Sequence, residues 1–335
     1  MHTLIFRVSL AKRAQGEGEN MDAKEQRGDW LPTIRPGTYS DGHPFDTVHC
    51  LESKLLLKPD RFIARPTFYE FGKLVRRTAE NLNIEFSTEG VKKLRPRIRE
   101  VVFLDTKDFS LYNHFFILRR RITYEDGFPV GNPEIVFKFR HPDLQTAAEV
   151  DVRPNIPGDY QIKFKAEALP LKEKLGGYRL LFSHNVEFEL QREMHSAPMA
   201  TLAEFFPALA RLKTLAAKKV ELVNHTIVEE VLQDLGVLDF GKGVVAKSNA
   251  ALWRERGNHN LLIGEFSFEC KFKRKSELNE KVLERVRRFF ISLQEIAGEW
   301  ISLGTTKTEN VYQLKGNPPQ SDYDVWPFTM QANQQ

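Results

Sequence analysis

"FFILRRRITYEDGF", residues 115–128, is the stretch on which the fold turns. Read in alternation, Phe116, Leu118, Ile122 and Tyr124 make one nearly apolar face, while Arg119 and Arg121 project together from the other. Arg120 is the exception on the apolar side. A half-buried antiparallel strand with its polar face in water has the same pattern, so this segment alone does not say what the arginines meet.

The alternation recurs. Ile135, Phe137 and Phe139 oppose Lys138 and Arg140; Val186, Phe188 and Leu190 oppose Glu187 and Glu189; Phe266, Phe268, Cys270 and Phe272 oppose Glu265, Ser267, Glu269 and Lys271. Glu52 and Lys54 are likewise in phase. Two architectures produce this. One is an open sheet with helices on one side and water on the other. The other is a closed barrel whose apolar side faces outward under helices while its charged side lines a lumen. Burying many unpaired cations costs several kcal/mol each, so the barrel requires carboxylates opposite them. The interleaved glutamates supply these.

The bulk numbers fit a soluble globular chain: 335 residues, 41% apolar, 28% charged, net charge +4. A general attraction to nucleic acid or to an anionic membrane is not indicated, and any basic site must come from local clustering. The two cysteines, Cys50 and Cys270, lie in strand-like runs and not in closely spaced pairs, which suggests neither a disulfide framework nor a zinc cluster and favours a reducing, cytoplasmic setting. No apolar run is long enough to cross a bilayer.

Residues 1–45 are polar and rich in Gly and Pro and read as a flexible extension, 46–315 as the folded domain, and 316–335 as a polar tail. Strands are expected over residues 49–58, 101–106, 116–124, 134–140, 147–153, 160–167 and 185–191, in a hairpin over 243–275 turning at 256–260, and over 305–314. Helices are expected over residues 65–83, started by Pro66 and Thr67 with Glu70; over 201–218, capped by Thr201 with Glu204 and interrupted by Pro207; and from Ser276 to about Trp300. "GVLDFGKG" (236–243) has the spacing of a phosphate-binding loop, but Gly243 stands where Ser or Thr is needed.

Taken in order, "CLESKLLL", "VVFLDTKDFSLYNHFFILRRR", "EIVFKFRHP", "FSFECKF" and "TKTENVYQL" resemble the CYTH, or triphosphate tunnel metalloenzyme, superfamily, over roughly residues 48–315. That family includes thiamine triphosphatases, inorganic triphosphatases and class IV adenylyl cyclases. The resemblance implies an α+β fold, a closed antiparallel eight-stranded β-barrel forming a tunnel with helices packed outside. It also implies a phosphate grip by Lys54, Arg119, Arg121, Lys138, Arg140, Lys219 and Lys307. Mg²⁺ or Mn²⁺ would be held by Glu52, Glu187, Glu189 and Glu269, with Glu187 or Glu189 orienting the attacking water. Glu149 with Asp151 is the other candidate for the middle acidic pair. Cys50 replaces the first glutamate of the family's ExExK signature, and Lys271 follows Glu269 where a second acid is expected.

The chemistry is coherent. Guanidinium groups match phosphate oxygens two at a time, lysines add compact charge, and Mg²⁺ takes hard oxygen ligands while keeping waters. The function implied is metal-dependent binding and hydrolysis of an inorganic or organic triphosphate. The alternatives are a non-catalytic polyphosphate or nucleotide sensor and an adenylyl cyclase. No membrane or specific nucleic-acid partner is expected.

Overall fold

The alternating strands close on themselves. The computed structural model describes residues 33–89, 91, 95–191, 194–273 and 277–316. Its strands are β1 (Cys50–Leu57), β2 (Glu85–Ser87), β3 (Arg97–Thr106), β4 (Phe116–Glu125), β5 (Phe128–His141), β6 (Gln161–Leu169), β7 (Arg179–Glu189), β8 (Val220–Leu222), β9 (Val228–Asp239), β10 (Val245–Glu255) and β11 (Leu261–Lys271). Around the ring the order is β9, β10, β11, β1, β6, β7, β5, β4, β3 and back to β9, with the short β2 and β8 on the rims. The closed barrel is thus as expected, but it has nine strands and is mixed. β1 and β6 run parallel, and the eight other junctions of the ring are antiparallel. A ring with an odd number of strands cannot alternate direction all the way round, so one parallel pair is a consequence of the ninth. That strand is β9, which the alternation does not announce.

The outward apolar faces are covered by helices. α1 (Arg65–Asn81) buries Phe68, Phe71 and Val75, and Phe71 packs its ring 5.3 Å from that of Phe266 on β11. Two further helices are short, α2 (Ser110–Asn113) and α3 (Leu144–Ala148). α4 (Met199–Phe205) stops before Pro207, as expected of a residue without an N–H; the chain continues as 3₁₀ turns, and Phe206 stacks on Phe137 at 4.1 Å. α5 (Glu280–Ile296) presents Phe289 and Phe290 to Phe268.

The start signals differ from expectation. Thr67 lies inside the first turn of α1, donating its hydroxyl to the Ala64 carbonyl at 2.6 Å. Pro198 precedes α4, so Thr201 and Glu204 lie within it. Ser276 lies outside the described residues, and the side chain of Asn279 caps α5 by accepting from the Val282 N–H. The strand expected over 147–153 does not form. Asp143 accepts from the Thr146 N–H at 2.7 Å and caps α3, after which Val150 and Val152 are buried without joining a ladder. "GVLDFGKG" is the end of β9 and its turn into β10, where the Asp239 carboxylate accepts from the Gly241 N–H.

The most consequential difference is at the C-terminal end. Residues 305–314 hold α6 (Lys307–Gln313), not a strand: the Thr306 hydroxyl accepts from the Glu309 N–H at 3.2 Å, a Ser/Thr-x-x-Glu start that outweighs the alternation. α6 plugs one end of the barrel. Its Val311 and Tyr312 join lumen-side residues of several strands, Leu56, Val101, Phe103, Ile117 and Trp253 among them, in one apolar cluster with Phe109 and Tyr112.

The plug is pinned by Asp105, which is 1% exposed. Its carboxylate accepts from the backbone N–H groups of Thr106, Leu111 and Tyr112 and from the Tyr312 hydroxyl. Burial pushes this carboxyl up to about 7 against the pull of those donors. Asp105→Ala orphans four buried donors at once and is expected to destabilise the protein by about 3 kcal/mol or more in a urea titration. An effect below about 0.5 kcal/mol, the size of an ordinary surface substitution, would remove this role.

Candidate functional site

Inside the barrel the alternation has a single meaning. Of the positions that face inward, those near α6 are apolar and fill the plug, while most of the rest are charged and border a cavity of about 420 Å³. Ten Lys or Arg side chains line it against seven Glu, three more basic groups than acidic ones, and burial draws the Lys138 ammonium well below its ordinary value although Glu167 pulls the other way. Lys54, Arg119, Arg121, Lys138, Arg140 and Lys307 are all present, as are Glu52, Glu187 and Glu269. The structure therefore converges nine of the eleven anticipated residues. Lys219 is exposed, in an isolated bridge to Pro198, and Glu189 is exposed at the end of β7, its carboxylate taking a hydrogen bond from Asn132. Neither lines the cavity. The alternative acidic pair is also elsewhere: Glu149 accepts from Gln145 and Asp151 pairs with Arg153.

The deepest carboxylate is Glu167 on β6, 1% exposed. It lies 3.0 Å from Lys54, 3.4 Å from Lys138 and 3.3 Å from Arg140. Burial works to raise its pKa, but the three cations hold it well below the usual carboxylate range. Glu230 on β9 is similarly enclosed: Arg99 donates to it, Lys307 stands at 3.4 Å and the Trp253 indole N–H donates at 2.9 Å. Lys307, the first residue of α6, also reaches Glu265 at 2.6 Å, so the plug carries its own cation into the lumen. Nearer the other end, Arg121 pairs with Glu134 and lies 3.9 Å from Glu187, which also pairs with Lys163.

Arg119 differs from its neighbours. Among the described residues it has no hydrogen bond or ion pair, and its Nε is buried without a partner. Burial, reinforced by the adjacent Arg121, draws its pKa down to about 10, so the guanidinium remains charged at neutral pH. Arg120, the residue out of phase in the sequence, lies on the outer face, 3.7 Å from Glu100.

Several lining residues are unannounced. Lys163, Lys165 and Glu167 alternate with Ile162, Phe164 and Ala166 along β6, so their phase was readable in "QIKFKAE". Arg97 and Arg99 enter because β3 starts four residues before its apolar run. Glu230 had no readable signal, since "VEEVLQDLGVLD" mixes apolar and acidic residues without a clean period.

The expected Mg²⁺ or Mn²⁺ centre is where residues and resemblance part. Glu52 and Glu269 face each other across β1 and β11, but Lys165 stands 2.8 Å from Glu269 and 3.3 Å from Glu52, and Lys54 stands 3.1 Å from Glu52. Among the described residues no group of three His, Cys, Asp or Glu is disposed to hold a metal ion. As placed, this donor set does not fit a divalent cation.

No helix among the described residues is long and apolar enough to cross a membrane. Neither a protein-family model nor a curated protein matches this chain. Among solved structures it is similar to a candidate adenylyl cyclase from Hippeastrum described as having a dominant triphosphatase activity, at 14% identity and TM-score 0.37 over 79% of this chain and 95% of that one. It is also similar to a Pyrococcus horikoshii protein, at 16% identity and TM-score 0.30 over 75% and 92%, and to a candidate adenylate cyclase from Bacillus halodurans, at 14% identity and TM-score 0.32 over 78% and 95%. The closed barrel with a lumen lined largely by charged side chains is the second of the two architectures that the strand alternation allowed.

Proposed function

We propose that the lumen binds a triphosphate-type anion, inorganic or attached to an organic group, and that the reaction it serves is hydrolysis of the terminal phosphoanhydride. The observation that carries the binding is Arg119, a charged guanidinium inside the cavity without a partner among the described residues, in a lining where, Arg119 included, basic side chains outnumber acidic ones by three. A polyanion supplies the missing partner, and several charge-assisted hydrogen bonds at once.

For hydrolysis, Arg119, Arg121 and Lys138 would neutralise charge on the transferred and leaving groups. Glu187 is held ionised by Lys163 and Arg121 despite its burial, and it can accept a hydrogen bond from a water aimed at the terminal phosphorus. The oxygen of that water bonds to phosphorus, the bridging P–O bond breaks, and the shortened phosphate leaves with the bond's electron pair, its new terminal oxygen taking up the proton that the water gives off. A reducing, cytoplasmic setting suits the free thiols of Cys50 and Cys270.

The lysine between Glu52 and Glu269 favours a second reading, a polyphosphate sensor that binds without turnover. Purified protein incubated with tripolyphosphate, with and without Mg²⁺ or Mn²⁺, separates the two. Release of orthophosphate supports the hydrolase, binding without release supports the sensor, and cyclic nucleotide from ATP would identify a cyclase. Absence of binding under every condition would overturn the proposal.

A further inference from the structure

The lysine that stands between the two carboxylates has a consequence for how the tunnel accepts its anion, given the polyanion-binding reading above. Strand register makes Glu52 the cross-strand neighbour of Glu269 on one side and of Glu167 on the other, and sets Cys50 opposite Lys165. Carboxylates so placed repel unless a cation lies among them. Two ammonium groups do so. Lys165 spans Glu52 and Glu269 at 3.3 and 2.8 Å, and Lys54 spans Glu52 and Glu167 at 3.1 and 3.0 Å.

These separations suit an ammonium with its hydrogen-bond donors, whereas Mg²⁺ needs oxygens at about 2.0–2.1 Å in octahedral array. Cys50 adds to the same arrangement. Its thiol donates to Glu269 at 3.0 Å, consuming a carboxylate oxygen.

We propose that Lys165 is the resident counter-cation of the Glu52 and Glu269 pair, and that the tunnel takes its polyanion without a divalent metal. Acid-bound lysine replaces the metal on one wall, while Arg119 and its neighbours bind phosphate on the other.

Calorimetry with tripolyphosphate in EDTA and in excess Mg²⁺, together with Mn²⁺ titration followed by electron paramagnetic resonance, tests this. The wild type is expected to bind tripolyphosphate in EDTA and to take up no Mn²⁺ tightly on its own. Lys165→Met, which keeps the chain length and removes the charge, is expected to bind Mn²⁺ at least about tenfold more tightly than the wild type, because two carboxylates lose their cation. Lys165→Gln serves if the methionine variant does not fold. Wild-type binding that requires Mg²⁺ or Mn²⁺, or Mn²⁺ uptake that is equal in wild type and variant, would overturn the inference and leave the polyanion reading standing. No tripolyphosphate binding in either buffer would remove that reading and the inference with it.

Discussion

Replacing Arg119 by alanine is expected to weaken tripolyphosphate binding by about ten- to a hundredfold, the value of one charge-assisted hydrogen-bonding group at about 1.5–3 kcal/mol. The same change is expected to leave the melting temperature unchanged or raise it. Most buried cations stabilise a fold through their partners, and removing one leaves a carboxylate exposed to the interior. Arg119 has none of these partners among the described residues, so its truncation removes a desolvated charge and orphans nothing. Loss of binding with retained or increased stability is the signature of a group kept for a ligand. A variant that binds normally but melts early would make Arg119 a structural residue. Arg121→Ala is the informative contrast: Arg121 already pairs with Glu134, so its removal should cost both affinity and stability.

The second large effect is at Glu167. Glu167→Gln preserves volume but leaves Lys54, Lys138 and Arg140 without their shared carboxylate, and breaking a buried ionic cluster from one side costs about 3–5 kcal/mol. A polyanion in the lumen can stand in for the lost charge, so tripolyphosphate should raise the melting temperature of this variant by more than it raises that of the wild type.

The pH dependence follows from the direction of the shifts. Glu167 is held well below the ordinary range, and Glu52 is held at about 2 because Lys165 and Lys54 outweigh the effect of burial. A carboxylate with a depressed folded pKa contributes its stability in full above the unfolded value of about 4.3 and loses it as pH falls further. The stability difference between wild type and Glu167→Gln should therefore be constant from neutral pH to about pH 5 and close progressively below that. A difference that grows on acidification would contradict the ionised cluster.

Much of this site was readable in the strands because side-chain alternation is local. Once residues 116–125 and 134–140 form strands, Arg119, Arg121, Lys138 and Arg140 must share one side, and only closure of the sheet decides that this side is an interior. What escaped had physical causes. α6 begins with a threonine cap that competes with an alternating pattern, and the cap prevails because Tyr312 finds Asp105 and the apolar plug. β9 is inserted between β10 and β3, and its acidic residues blur the period by which a strand is recognised. Glu189 shares the phase of Glu187 but lies at the last residue of β7, so phase alone could not place it outside the cavity. The three-cation cluster on Glu167 joins β1, β5 and β6, and that adjacency depends on the parallel junction of β1 with β6, a long-range pairing without a local signal.

A crystal structure of the protein grown with tripolyphosphate tests most directly whether the lumen is a polyanion site. Phosphate density is expected inside the barrel, in contact with the Arg119 guanidinium and on the side of the lumen away from Glu52 and Glu269. Density confined to the outer surface, with Arg119 untouched, would contradict it.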